Sequence, residues 1–397
     1  MNKIFQRNHC IADALFSLLP AVAAMVLIGA PSHAATNPAA GSKTNLMVRV
    51  LVVEEKRTLN VTIKGAYRIW ALPAGRLLKK GKGLPVEQLL PTANGLRLGK
   101  EEWQTRGLRF EPLEDRDLFL NQSQFRGTVD ILKDKNALLY AINRLNVEDY
   151  LYGVIHHEVA PWWPMEALKA QAIAARTYAL YQAQVSRPVE FDLKSSTSSQ
   201  VYGGSTTEKF RTKRAVDLTA GEALVYQGKI FPAYFHATCA GVTAGAQELW
   251  KIDLAPLSGG VHCSFCRLSP HFYWQAKVPV SEIEEKMAKY GHPVARILKI
   301  EIISQTPSGR VGSLRITGTA GDFVMAAKDF RIWIGGDRIR STRFAITIKE
   351  DTAEFNGRGW GHGVGLCQWG ALGQALLGRD HEKILKFYYP GAEIVSY

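Results

Sequence analysis

The sequence predicts an α+β fold: a mixed, β-rich body with a few helices forming a cleft, preceded by a small β-rich N-terminal domain. Three observations predict it. Residues from Met47 to Ile69 alternate apolar and polar (Val48, Val50, Val52, then Leu59, Val61, Ile63), the period of half-buried strands. The stretch from Met165 to about Gln184 instead places Met165, Leu168, Ala172, Ala175 and Ala179 at helical spacing, so one strong helix packs against a core. Short alternating runs then return between further helical stretches, and no repeat of fixed period is present.

The elements follow in order. Residues 1–34 read as a signal peptide, with Lys3 and Arg7 as a basic n-region, an apolar run from Ile11 to Gly29, and a small-residue cleavage signal at Ser32-His33-Ala34. Asp13 and Pro20 interrupt that run, which argues against a stable membrane anchor after cleavage, and Cys10 precedes it, so it is not a lipidation site. The expectation is export to the periplasm or cell wall. Residues 35–117 read as a linker (Ala35 to Ser42) and the β-rich N-terminal domain, with turns at Pro73-Ala74-Gly75 and Gly81-Lys82-Gly83.

Residues 118–397 form the main body. Strands are expected between Gly127 and Ile142, then a short helix capped by Asn146 that runs to His156-His157-Glu158. Pro161-Trp162-Trp163-Pro164 stops it, and Pro164 opens the long helix. Residues 190–204 are polar and Ser-rich and read as a loop, and Gln227-Gly228 as the turn of a hairpin within Ala223 to Tyr234. A helix from Val280 to Tyr290 with Ser281 as N-cap precedes strands at 297–303, 314–317 and 344–348. Helices from about Gln368 to Leu377, capped by Gly378, and from Asp380 to Tyr389 close the chain.

Composition narrows the partners. The 397 residues are 46% hydrophobic and 21% charged, which suits packed domains and not disorder. Loss of Lys3, Arg7 and Asp13 with the signal peptide takes the net charge from +13 to +12. An exported basic protein suits a polyanionic matrix, and the scattered Lys and Arg residues come with no nucleic-acid-binding motif, so no nucleic-acid partner is expected.

Two stretches carry the candidate chemistry. In Asn356 to Ala371 (NGRGWGHGVGLCQWGA), glycine alternates with Arg358, Trp360, His362 and Val364, backbone that a ligand can approach closely. Glu158 follows two histidines and precedes Trp162 and Trp163; aromatic surroundings raise a carboxyl pKa by desolvation, as a general acid at neutral pH requires. There is no H-E-x-x-H helix, no G-x-S-x-G elbow and no phosphate loop. Trp162, Trp163, Trp360 and Trp369 with Ser/Thr/Gln-rich loops suit sugar rings. A single distinctive acid fits glycan cleavage in which a muramyl 6-hydroxyl attacks its own anomeric carbon and one Glu serves as acid, then base. Arg176 stands among apolar helical neighbours, so either its guanidinium meets an acidic or carbonyl partner inside or it snorkels outward.

Four cysteines remain after export. Cys263-x-x-Cys266 looks like half a metal site or a redox pair, and His236, Cys239, Cys263 and Cys266 would make a Cys3His zinc set. A disulfide between Cys239 and one of the pair is equally open in an oxidising compartment. The glycan chemistry requires no cofactor, so a zinc here would be structural.

The motifs Glu148-Asp149-Tyr150-Leu151-Tyr152-Gly153-Val154 with Glu158, Pro164-x-Glu166-Ala167-Leu168-Lys169-Ala170-Gln171-Ala172 through Arg176-Thr177-Tyr178, Ser196-Thr197 with Gln200-Val201-Tyr202-Gly203-Gly204, His236-Ala237-Thr238-Cys239, and Gly361-His362-Gly363-Val364-Gly365 with Gln368 occur in this order. In that combination, over about residues 118 to 397 with an insertion at about 275–345, the chain resembles the SpoIID/LytB family. The resemblance implies a peptidoglycan lytic transglycosylase acting on strands stripped of stem peptides, with Glu158 as the acid. The alternative is a non-catalytic modifier of a cell-wall amidase. On this reading Arg176, Tyr178, Gln200, Tyr202, Trp360, His362 and Gln368 bind the glycan. The chain departs from the family in the step after the acid, where it has Val159-Ala160-Pro161-Trp162-Trp163-Pro164, and at Cys367, commonly a Ser.

Overall fold

The computed structural model describes residues 46–114, 118–186, 190–195 and 200–397. The stretches read as a signal peptide (1–34) and a linker (Ala35 to Ser42), and Ser196-Thr197, lie outside the described residues.

The fold is α+β and β-rich. The alternation seen near the start becomes burial: Leu59, Val61 and Ile63 are inward while Asn60 faces solvent. Seven strands form one sheet in the order Leu193–Lys194, Met47–Lys56, Leu139–Asn146, Thr128–Lys133, Gly107–Pro112, Tyr67–Leu72, Arg76–Gly81. A six-stranded sheet built around Leu59–Ile63 and Leu84–Pro91 shares its core. The boundary drawn near residue 117 passes through the larger sheet, because Met47–Lys56 pairs antiparallel with Leu139–Asn146, Val48 opposite Leu145 and Val50 opposite Asn143. Apolar faces on both sides of that boundary cover each other.

The helices are α1 (Val147–Tyr152), α2 (Ile155–Glu158), α3 (Met165–Val185), α4 (Phe210–Leu218), α5 (Ala246–Trp250), α6 (Val280–Lys289), α7 (Ala327–Ile334), α8 (Gln368–Leu376) and α9 (His381–Tyr388). The Asn146 side chain accepts from the Glu148 N–H, satisfying one of the free donors at the start of α1. Helix α3 is buried almost all round from Ala167 to Leu180. Its many alanines let neighbours pack on every side, so it is the central post of the molecule and not a one-faced surface helix. Helix α6 departs from expectation: Pro279 is its N-cap and Ser281 lies inside the first turn.

A second core lies within residues 274–355, where α6 and α7 pack with two three-stranded sheets. The strand Thr352–Arg358 runs from it directly into the glycine-rich stretch. No helix among the described residues is long and apolar enough to cross a membrane.

Candidate functional site

Glu158 ends α2, held between α1 and the following Pro-Trp-Trp-Pro turn. Arg211 fixes that turn by donating to the carbonyls of Pro161 (2.9 Å) and Trp163 (3.0 Å). Trp163 is buried, with its ring edge-on to Trp369 at 5.5 Å, whereas Trp162 is exposed. The Glu158 side chain is 8% exposed. Its Oε2 accepts from the Gln368 amide at 3.5 Å, and its Oε1 has no protein partner among the described residues. Burial pushes the carboxyl up to about 8, and the Gln368 amide and the Val201 N–H draw it only part of the way back. Glu158 is therefore protonated at neutral pH. Three more buried ring nitrogens in the same part of the chain, His156 Nδ1, His157 Nε2 and Trp163 Nε1, also lack a partner among the described residues. Burial, then the adjacent His156, lowers His157 to about 4.

The glycine-rich stretch is a strap sewn to the segment from Tyr234 to Ala244. Trp360 and Thr238 exchange backbone hydrogen bonds at 2.9 and 3.0 Å, Ala244 N–H donates to Gly363 O at 2.8 Å, and Leu366 N–H to Tyr234 O at 3.0 Å. Gly359, Gly361, Gly363 and Gly365 all have positive φ, between 70° and 99°. The expectation that these glycines make room for a ligand is corrected. A Cβ at Gly357 would lie 2.1 Å from the Trp274 ring, at Gly359 2.4 Å from Thr238 O, at Gly363 2.2 Å from Arg310 Nη2, and at Gly365 2.1 Å from Tyr234 O. The space is filled by the protein itself.

The predicted glycan-binding residues separate into three groups. Gln368, the first residue of α8, is at the acid, and Tyr178 lies close enough to Glu158 for its phenol to feel the carboxylate; burial pushes that phenol up to about 12. Arg176, Gln200 and Tyr202 are in the interior and are occupied. Arg176 is 0% exposed and binds Glu148 with Nε (2.9 Å) and Nη2 (2.6 Å), together with the Glu222 carbonyl. Gln200 accepts from Tyr150 Oη at 2.9 Å, and Tyr202 Oη donates to Asn143 Oδ1 at 2.9 Å. All three side chains bond to other groups of the protein. Trp360 and His362 belong to the strap. Trp360 packs edge-on to His271 at 4.3 Å under the Arg340 guanidinium. His362 is buried against Trp250 (5.1 Å) and His236 (5.6 Å), and its Nδ1 accepts from the Val364 N–H at 3.0 Å. Burial, then the neighbouring charges, holds it well below the ordinary value, so it is a neutral interior imidazole.

Of the four residues expected as a metal set, three come together with a fourth cysteine and not with His236. The Sγ atoms of Cys239, Cys263, Cys266 and Cys367 lie within 4.8 Å of one another, all four residues buried and free of disulfides. His236 is outside the group, with its Nδ1 on the Val364 carbonyl at 3.1 Å. Cys367 was missed because it lies more than 100 residues from the other three. The strands Phe235–His236 and Leu366–Cys367 pair in parallel and bring it back. The available signal was that Cys367 is the fourth cysteine outside the N-terminal stretch read as a signal peptide.

Two surface concavities, one lined by Glu222, Lys386 and Ile394 and one by Tyr273, Arg343 and Asn356, do not include Glu158.

The chain is similar to known proteins over most of its length. The profile of the family described as stage II sporulation protein (SpoIID) matches residues 135–226, which contain Glu158, and a domain of unknown function (DUF8618) matches residues 266–365. An uncharacterized protein of Brachyspira hyodysenteriae is 32% identical over 354 residues, 88% of this chain and 93% of that protein. The stage II sporulation protein D of Bacillus subtilis is 28% identical, covering 64% of this chain and 76% of that protein. The amidase enhancer of Bacillus subtilis is 27% identical over 81% of this chain, which spans about half (49%) of that protein's length. The chain belongs to the SpoIID/LytB family.

Proposed function

We propose that this chain is an exported peptidoglycan lytic transglycosylase acting on glycan strands stripped of stem peptides, with Glu158 as its single general acid and base. The observation that carries the reading is the state of Glu158: buried, neutral at pH 7, held on one oxygen by the Gln368 amide and free of protein partners among the described residues on the other. Such a carboxylic acid is a proton donor. It protonates the glycosidic oxygen as the C1–O4 bond breaks. The resulting carboxylate takes the proton of the muramyl C6 hydroxyl as O6 bonds to C1. Glu158 ends protonated again, no water is consumed, and the product carries a 1,6-anhydro end. Gln368 holds the carboxyl in place, and the basic net charge of the chain favours strands bearing free lactyl carboxylates.

A second reading has its own support. One relative is named an amidase enhancer. On that reading the chain presents glycan to a cell-wall amidase and cleaves nothing. Digestion of stripped strands with product masses separates the two. Anhydro-ended fragments that disappear with Glu158→Gln support the enzyme; reducing-end products or full activity in that variant reject the assigned acid. Intact strands with amidase activity stimulated equally by both proteins establish the modifier.

A further inference from the structure

Four thiols from three separate stretches of chain meet in the interior. Around a tetrahedral zinc with Zn–S bonds of about 2.3 Å, sulfurs stand about 3.8 Å apart. Here all four Sγ atoms fall within 4.8 Å of one another, and Cys239 and Cys266 are 3.6 Å apart, well beyond the disulfide length of about 2.05 Å.

Polar groups lie against two of the sulfurs. The Cys239 N–H points at Cys367 Sγ (3.3 Å), and Tyr388 Oη lies 3.1 Å from Cys263 Sγ. Donors of this kind support metal-bound sulfur. Arg310 adds a charge argument. It is 1% exposed, its Nε donates to the His362 carbonyl, and its Nη1 and Nη2 have no hydrogen-bond partner among the described residues. A dry guanidinium near neutral thiols is expensive. Four thiolates on a divalent ion carry a net negative charge, and Cys239 and Cys367, together with Glu248, are groups whose charge favours the Arg310 cation.

We propose that Cys239, Cys263, Cys266 and Cys367 bind one zinc-class divalent ion tetrahedrally, with Arg310 as its buried counter-charge. The site would act structurally, on Gln368. Cys367 immediately precedes Gln368, and the next residue, Trp369, donates its N–H to Ala237 O at 3.0 Å. A Cβ at Gly370 would lie 2.7 Å from Cys263 Sγ, so the first turn of α8 rests on the sulfur cluster. The ion therefore clamps the strap and the start of α8 so that the Gln368 amide stays on Glu158. The metal inference stands whether or not the protein cleaves glycan.

The test uses the full chain purified with zinc present and then dialysed against metal-free buffer. Elemental analysis is expected to give about one zinc per chain, and denaturation should release four alkylatable thiols from these positions. Replacement by cobalt(II) should give the intense visible bands of a tetrahedral thiolate complex. His236→Gln should keep the full stoichiometry, while Cys367→Ser should lower metal affinity at least about tenfold. A disulfide between any two of the four with no bound metal would overturn the proposal, as would four free thiols that take up neither zinc nor cobalt. Retention of metal by Cys367→Ser with its loss from His236→Gln would reject the ligand set. Should Cys367→Ser not fold, the cobalt spectrum of the unaltered chain decides, since weak octahedral bands refute four sulfur ligands.

Discussion

Replacing Glu158 with glutamine is expected to stabilise the protein at neutral pH while abolishing glycan cleavage. The native carboxyl titrates near 8 and the unfolded one near 4.5, so between those values the native state holds a proton that the unfolded state has released. Stability then falls as pH rises, by about 1.4 kcal/mol per pH unit. From pH 5 to pH 7.5 the native protein loses about 3 kcal/mol through this one group. The amide of the Glu158→Gln variant does not titrate, and its oxygen can accept from the Gln368 side chain as the carboxyl does. The assay is urea unfolding of both proteins at pH 5, 6, 7 and 7.5. The advantage of the variant should be small at pH 5 and grow to about 3 kcal/mol at pH 7.5. The same titration gives glycan cleavage an alkaline limb near pH 8, where the acid loses its proton. A difference in stability that is flat with pH, or that shrinks as pH rises, would refute the raised carboxyl and with it the argument for Glu158 as a proton donor.

Three more outcomes follow from the same geometry. Arg176→Met leaves Glu148 without its partner and should cost about 3 kcal/mol, seen as a fall in Tm of several degrees; a raised KM with unchanged Tm would return Arg176 to the substrate. Gly363→Ala should cost about 2–4 kcal/mol, because its Cβ meets Arg310 at 2.2 Å on top of a φ of +91°, whereas Gly228→Ala, at +72° with nothing within 4 Å, should cost about 1 kcal/mol; equal losses would show that the strap is not closely packed. His362, held below its ordinary value, should show an imidazole NMR signal that does not move between pH 8 and 5, and stability should decline as pH drops through 6.5 because the unfolded imidazole takes a proton the native one refuses; a midpoint near 6.5 would place His362 in solvent.

The sequence carried local physics well. Asn146, Pro164 and the Gln227-Gly228 turn sit where the chain's own hydrogen-bonding and φ preferences put them. Glu158 was legible because the apolar residues beside it in sequence announced a buried carboxyl, and burial is the main cause of its raised titration. Arg176 was legible in half: apolar residues around it predicted an inward guanidinium and a partner. The identity of that partner, Glu148, depends on α1 packing across α3, and spacing does not contain that. α7 was missed although Phe330 and Ile334 stand at helical spacing, because Arg331 and Trp333 between them obscure the apolar face.

The glycine strap separates what a local pattern can and cannot say. Alternate glycine states that something approaches the backbone closely, and it is silent about what. The approaching groups are Trp274, the Thr238 carbonyl, Arg310 and the Tyr234 carbonyl, from segments distant in the chain. Close packing is also the reason His362 is buried and cannot act as a free-standing base. The strap thus reaches the acid through the Gln368 amide, which begins α8 one residue after Cys367. A tolerance of about half an ångström separates a productive from an unproductive catalytic group. An amide at 3.5 Å from Oε2 already lies at the long end of hydrogen bonding, so whatever fixes α8 also governs how firmly Glu158 is held.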